Sequence, residues 1–493
     1  MRKSIGFLDM TFWVTESADN PKHVASLQLL EMPEHAKEDY IDNLATQLRG
    51  YSKAVEPFNM KVKSFLGLPL WLESVDELDM EYHVQVIDVK DVGDKIELHK
   101  VVAKLHEPKL DRDKPLWQFV IIRGQIGNKF AIYTKIHHMY GDGAIMVKWF
   151  QAGYLPEPQA SSFEPVWAVQ RKRRKKPKRP IPLRVLRGIW ESLIVVKDLF
   201  WILLRILLKM LYINREYMPI PFSGTKTMLT GQVKNGRVVS TVDIDFARVQ
   251  TVAKKLRATV NEVLLCCFDI GVHRFLADEG QVFEKALYTN MPINMRKPGD
   301  QTAGNKIAIV PVKLAHGQND PYIRLRQIIE NHRIVKRAAR RAHPAAFSSY
   351  TVLIQSFALV FELLRISDLV RPIANILISN VPGPSDIRYL GDAKLEAVYP
   401  ISTIVPGGGV NITLLTYGNT ANVGLVCSDH KIRSLENMAL YFNDAFELLE
   451  RSVGDYSVSI QDIGERIVEE DKAIIEDQHY TLPEDSHVAE EVH

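Results

Sequence analysis

The 493 residues are 46% hydrophobic and 25% charged, a balance that excludes a disordered, collagenous or disulfide-scaffolded chain and supplies enough material for two or more packed units. With 62 Lys+Arg against 59 Asp+Glu the formal charge is only +3, which excludes a surface built throughout for nucleic acid and makes any basic function local. The three cysteines, Cys266, Cys267 and Cys427, have neither zinc nor CxxC spacing and are expected to stay reduced in a cytoplasmic setting.

In chain order, Asp9, Thr11 and Glu16 interrupt the apolar residues of the N-terminus, so no export signal is expected. Gln118–Arg123 reads as a strand, and Lys129–His138 alternates with period two, putting Phe130, Ile132, Thr134, Ile136 and His138 on one face and His137 on the other. Residues 156–222 differ in character. Arg171–Arg179 reads RKRRKKPKR, eight basic residues of nine, and a helical pattern follows in which Arg187, Glu191, Asp198, Arg205 and Lys209 form a narrow polar stripe beside a wide apolar face. These charges divide the apolar stretch of about 189–211, so contact with a membrane is expected there rather than a crossing. Lys254–Leu276 reads as a helix; Ile373–Ser379, Val410–Thr416 and Asn422–Cys427 read as strands, the last two joined by a turn at residues 417–420. From Glu469 onward the chain is acidic and lacks apolar periodicity. The expected organisation is α/β, with an N-terminal lobe over 1–155, a basic linker and amphipathic helix over 156–222, a C-terminal lobe over 223–466 and an acidic tail over 467–493.

The sharpest local feature is His137-His138-Met139-Tyr140-Gly141-Asp142-Gly143, at the end of the alternating strand. Alternation makes His138 the inward histidine. An imidazole buried at a strand end is disfavoured in its charged form and can act as a general base near neutral pH. Asp142 precedes the helical run AIMVKWFQ, and Gly141 and Gly143 permit a tight strand-to-helix turn. No Walker spacing, no GxGxxG after a strand and no GxSxG elbow occurs, so nucleotide hydrolysis, hydride transfer and serine hydrolysis lack support.

HHMYGDG resembles the HHxxxDG signature of acyltransferases in the chloramphenicol acetyltransferase and condensation-domain superfamily, and specifically that of bacterial wax ester synthase/diacylglycerol acyltransferases. Pro115-Leu116-Trp117 is similar to the family's PLW segment and Ser379–Pro384 to its SNVPGP segment. Pro21-Lys22-His23-Val24 is similar to its PMHV, with Lys22 in place of Met, and Asp79 with Tyr82-His83-Val84 to its D..YHV. Thr259-Val260-Asn261-Glu262-Val263 stands where the family reads Asn-Asp, with Glu262 in place of Asp. The resemblance runs from Asp9 to about Asp429.

It implies two chloramphenicol acetyltransferase-like lobes with mixed sheets, a central tunnel and a helical crossover linker. It also implies transfer of a fatty acyl group from acyl-CoA to a long-chain alcohol or diacylglycerol, with no metal, no cofactor and no covalent acyl-enzyme. On this reading His138 is the base, while His137 fixes the strand end. Asp142 and Gly143 shape the turn. Asn261 is a candidate oxyanion donor that also reads as an N-cap for the run from Glu262, and Pro115, Leu116 and Trp117 are expected in the tunnel wall. Lipid substrates and the basic cluster beside an amphipathic helix together imply a membrane or lipid-droplet surface as partner, with no nucleic acid because no aromatic residues interleave the basic run. Two other functions fit the motif: a condensation-type acyltransferase with a carrier-bound donor, and a non-catalytic lipid-binding protein.

Overall fold

Apolar alternation in Lys129–His137 feeds two cores at once, which sets this strand at the centre of its sheet. Phe130 and Ile132 enter one buried cluster, Ala131 and Tyr133 the other. The computed structural model describes residues 2–159, 163–170, 181–213, 218–281, 285–294, 307–317, 320–428 and 430–453. The basic run Arg171–Arg179 and the acidic tail lie outside these residues.

The sheet around that strand runs, edge to edge, Tyr389–Leu390, Ala393–Ile401, His23–Glu31, Lys129–His137, Trp117–Gly124, Val84–Val89. Its pairs are antiparallel except Val84–Val89 with Trp117–Gly124. A second six-stranded sheet runs Ile307–Lys313, Tyr288–Asn294, Ile376–Val381, Val410–Tyr417, Thr420–Cys427, Val238–Asp245, with Ile376–Val381 parallel to both neighbours. The protein is therefore a two-lobed mixed α/β fold. Val260–Asp278 and Pro321–Arg341, tied by a buried ion pair between Asp269 and Arg324, share the core of the second sheet with the helix Glu436–Ser452.

Three boundaries differ from the sequence reading. Residues 389–401, expected in the C-terminal lobe, complete the first sheet: Leu395 and Val398 fill one core of the first lobe while Ala397, Tyr399 and Ile401 fill the other. The first lobe also extends past residue 155, because Phe163 and Trp167 are buried in it and the Trp167 indole stacks on Trp117 at 4.8 Å. The helix expected over Lys254–Leu276 is two, Phe246–Lys255 and Val260–Asp278, separated where Thr259 caps the second.

The amphipathic helix spans Ile181–Met210 and packs a narrow side on the helix Pro344–Leu363, burying Ile202 and Ile206, while Asp198 accepts a hydrogen bond from the His343 amide at 2.8 Å. By length and composition alone, Pro344–Leu363 is the described helix that could cross a bilayer; the sequence reading passed over it. Its inner side, with Phe347, Tyr350 and Ala358, belongs to a core with Ala308, Val310 and Val312, which accounts for part of its apolarity.

Candidate active site

Where the two sheets meet lies a cavity of about 300 Å³, and residues of both lobes line it. From the first sheet come Ser26, Gln28, Thr134 and Ile136, with His138 just past the strand end, and from the second Leu377, Ser379, Asn380, Asn411 and Thr413. The i, i+2 spacing within each strand is the alternation that places one face of each sheet against the cavity.

Strand pairing fixes His138. His23 pairs with His137, and one residue further the His138 amide donates to the Lys22 carbonyl at 2.8 Å. The chain then turns through a short 3-10 segment, His138–Tyr140, and the His138 ring stacks on Phe12 with centroids 4.2 Å apart and planes 10° from parallel. His137 points to the opposite side and is fully buried. Its Nδ1 accepts from the Met139 amide, and its Nε2 lies 3.4 Å from a Glu16 carboxylate oxygen.

Glu16 also receives Arg112, at 3.1 and 3.0 Å. Burial opposes its ionisation, but His137 and Arg112 outweigh burial and hold the carboxyl down to about 2. A depressed carboxyl stabilises the fold above its ordinary value of about 4.5, and that stabilisation is lost as pH falls from there toward 2. Glu16→Gln is accordingly expected to flatten the pH dependence of unfolding in this window, read from denaturant midpoints at pH 5 and pH 3; an unchanged slope contradicts the assignment.

The turn after His138 is shaped by lack of space. A Cβ on Gly141 would stand 2.2 Å from Ile145 Cγ2 and 3.2 Å from Trp149 Cη2. Asp142 then caps the helix Gly143–Gly153, its Oδ1 accepting from the Ile145 amide at 3.1 Å, and Gly143 lets this helix start against Val381. The facing loop of the second lobe is equally tight, since a Cβ on Gly383 would lie 2.2 Å from the Thr416 carbonyl oxygen.

Four expected site residues are corrected. Pro115, Leu116 and Trp117 do not line the cavity; all three are buried behind it. Trp117 stacks on His83 at 4.2 Å, and Leu116 braces the motif by accepting from the His137 amide and donating its own amide to the Tyr140 hydroxyl. Asn261 is exposed and also outside the cavity lining. Thr259 is the N-cap, in a capping box with Glu262, and Asn261 instead accepts a hydrogen bond from the Asn380 side-chain amide. Asn380 is the member of that pair that borders the cavity. It stood within the SNVPGP segment, so a signal existed for it; nothing in the sequence singled out Phe12.

A sequence model of the wax ester synthase/diacylglycerol acyltransferase catalytic domain matches residues 5–264, over half of the chain, and one of the family's C-terminal domain matches residues 303–450. The chain belongs to the wax ester synthase/diacylglycerol acyltransferase family. It is an O-acyltransferase by that membership. The O-acyltransferase WSD of Acinetobacter baylyi is 28% identical over 449 residues, 90% of this chain and 96% of that protein. The probable diacylglycerol O-acyltransferase tgs2 of Mycobacterium tuberculosis is 26% identical over 454 residues, covering 90% and 98%. Among solved structures, the wax ester synthase/diacylglycerol acyltransferase of Marinobacter aquaeolei VT8 superposes with a TM-score of 0.71 at 24% identity, over 92% of this chain and all of that one. The first condensation domain of the calcium-dependent antibiotic synthetase superposes at 0.58 with 13% identity, over 93% and 98% of the chains, a likeness of fold. The acyltransferase family thus shares its two-lobed scaffold with condensation domains, as the histidine motif implied.

Proposed function

We propose that this chain moves a fatty acyl group from acyl-CoA to the hydroxyl of a long-chain alcohol or diacylglycerol, with His138 as general base, at a lipid surface. The observation that carries the reading is the His138 imidazole on the wall of a cavity of about 300 Å³ whose lining is mostly apolar. His138 takes the acceptor's proton as its oxygen attacks the thioester carbonyl. The new C–O bond forms, the C–S bond breaks, and the proton passes to the departing coenzyme A thiolate. Phe12 stacks on the imidazole and the Lys22 carbonyl holds the His138 backbone amide; Asn380, oriented by Asn261, is the amide best able to donate to the developing oxyanion. Asp142 and Gly143 form the turn, and His137 anchors the strand end through Glu16. The test is ester product: purified protein with palmitoyl-CoA and hexadecanol or dioleoylglycerol yields wax ester or triacylglycerol, and no ester from either acceptor contradicts the reading.

The lipid surface is supported by the side of the amphipathic helix turned away from its neighbour. Leu193, Val196, Phe200, Leu203, Leu207 and Met210 recur at alternating spacings of three and four, and all are exposed, Phe200 by 59% and Leu207 by 49%. Leu353, Phe357, Val360 and Leu364 of the helix packed beside it, or just past its end, are exposed as well. So large a contiguous apolar face needs a cover, and the basic run Arg171–Arg179 immediately before it matches an anionic lipid surface. Phe200→Asp with Leu207→Asp is expected to abolish flotation with vesicles containing phosphatidylglycerol; unchanged flotation contradicts this docking face.

A further inference from the structure

Beside the main cavity lies a smaller one of about 130 Å³, bounded by Thr11, Lys22, Thr351, Gln355 and Ser356, and the two cavities share Phe12, Ile309, Thr403 and Val405 as walls. Lys22 is only 4% exposed, yet among the described residues its ammonium has neither a hydrogen bond nor an ion pair. Its backbone is pinned on both sides, the amide donating to Glu16 at 3.4 Å and the carbonyl accepting from His138. Lys22 and His138 are neighbours on adjacent chain segments, one step beyond the His23–His137 pair. The nearby Glu362 accepts from the Asn20 side-chain amide at 2.8 Å through one carboxylate oxygen; its charge acts on Lys22, but no ion pair within 4.0 Å joins the two among the described residues.

A buried ammonium without an acceptor is costly, and a site that keeps one has a use for its donors. Burial draws the amine down to about 8, with Glu362 opposing, so it is still a cation at neutral pH. The outer wall of the small cavity is the helix Pro344–Leu363, whose adjoining face, Leu353, Phe357 and Val360, is apolar and exposed. An acceptor dissolved in lipid reaches this side directly, whereas coenzyme A, with its phosphates, arrives from water. A simple alcohol brings one oxygen, which His138 engages. A diacylglycerol brings ester carbonyls within a few bonds of its free hydroxyl.

We propose that the small cavity holds the glycerol portion of a diacylglycerol-type acceptor, the Lys22 ammonium donating to an ester carbonyl oxygen while the free hydroxyl reaches His138 past Phe12. This rests on the acyl-transfer reading above and names its acceptor class. Lys22→Met keeps a flexible, unbranched side chain of similar length and removes only the charged donor.

The test is the ratio of kcat/KM for dioleoylglycerol to kcat/KM for hexadecanol, with palmitoyl-CoA as donor, in the full chain and in Lys22→Met. Loss of a charge-assisted hydrogen bond lowers this ratio on the order of tenfold or more. A ratio unchanged by the substitution, whether both rates fall or neither does, overturns the proposal. An independent arm needs no variant. The dioleoyl ester of 1,2-propanediol, which keeps both carbonyls and lacks the hydroxyl, competes with hexadecanol on the wild type at least tenfold better, by the same reasoning, than the corresponding diether. Equal inhibition by ester and diether overturns it. Wild-type protein inactive on both acceptors instead refutes the acyl-transfer reading itself.

Discussion

His138→Ala is expected to lower acceptor-dependent transfer from palmitoyl-CoA by about 10²- to 10⁴-fold, the range of a lost general base. The loss should fall on kcat, since the cavity that receives the acyl chain is built from strands on both lobes and keeps its walls. His138 is only partly buried and stacks on Phe12, so its removal leaves little strain and the unfolding midpoint should shift little. His137→Ala is the contrasting variant. It removes the imidazole beside the buried Glu16 carboxylate, leaving Arg112 and the Lys22 amide as its partners, and its first effect should be on stability. Loss of activity in the His137 variant with retention in the His138 variant would exchange their roles.

Arg324→Leu is expected to cost about 3–5 kcal/mol of stability, because it strands the fully buried Asp269 carboxylate without the guanidinium that holds it at 2.6 and 3.0 Å. His273 remains 3.1 Å from the other carboxylate oxygen and supplies one contact where Arg324 supplied two. The double variant Arg324→Leu with Asp269→Leu removes both charges and should recover most of the loss. Urea unfolding of the three proteins measures this. A single variant within about 1 kcal/mol of wild type, the size of a typical surface effect, contradicts the clamp.

The strand that carries the site is legible because it keeps a period of two from Lys129 to His138, which puts His138 and His137 on opposite faces; that His137 is the fully buried one and His138 the one open to the cavity is set by packing. What the pattern could not carry is where a strand pairs. Ala393–Ile401 has apolar residues on both faces, as any central strand does, and nothing local says that its partner is His23–Glu31, over 360 residues earlier. PLW was readable as a motif but not as a place: Trp117 is held behind the cavity by Trp167 and His83, two contacts set by tertiary packing. The Asn261 position failed for a similar reason, since its amide partner Asn380 lies 119 residues away. The amphipathic helix posed a choice between core and anchor that periodicity alone leaves open. Its narrow buried side is set by Ile202 and Ile206, which the sequence cannot distinguish from Leu203 and Leu207.

The central claim is that this cavity joins a thioester donor to a hydroxyl acceptor. Its most direct test is free-thiol release from palmitoyl-CoA by the purified protein, with and without hexadecanol or dioleoylglycerol. The account predicts release that depends on the acceptor and matches ester formed one for one. Release that is the same without any acceptor, or no release with either, would contradict it.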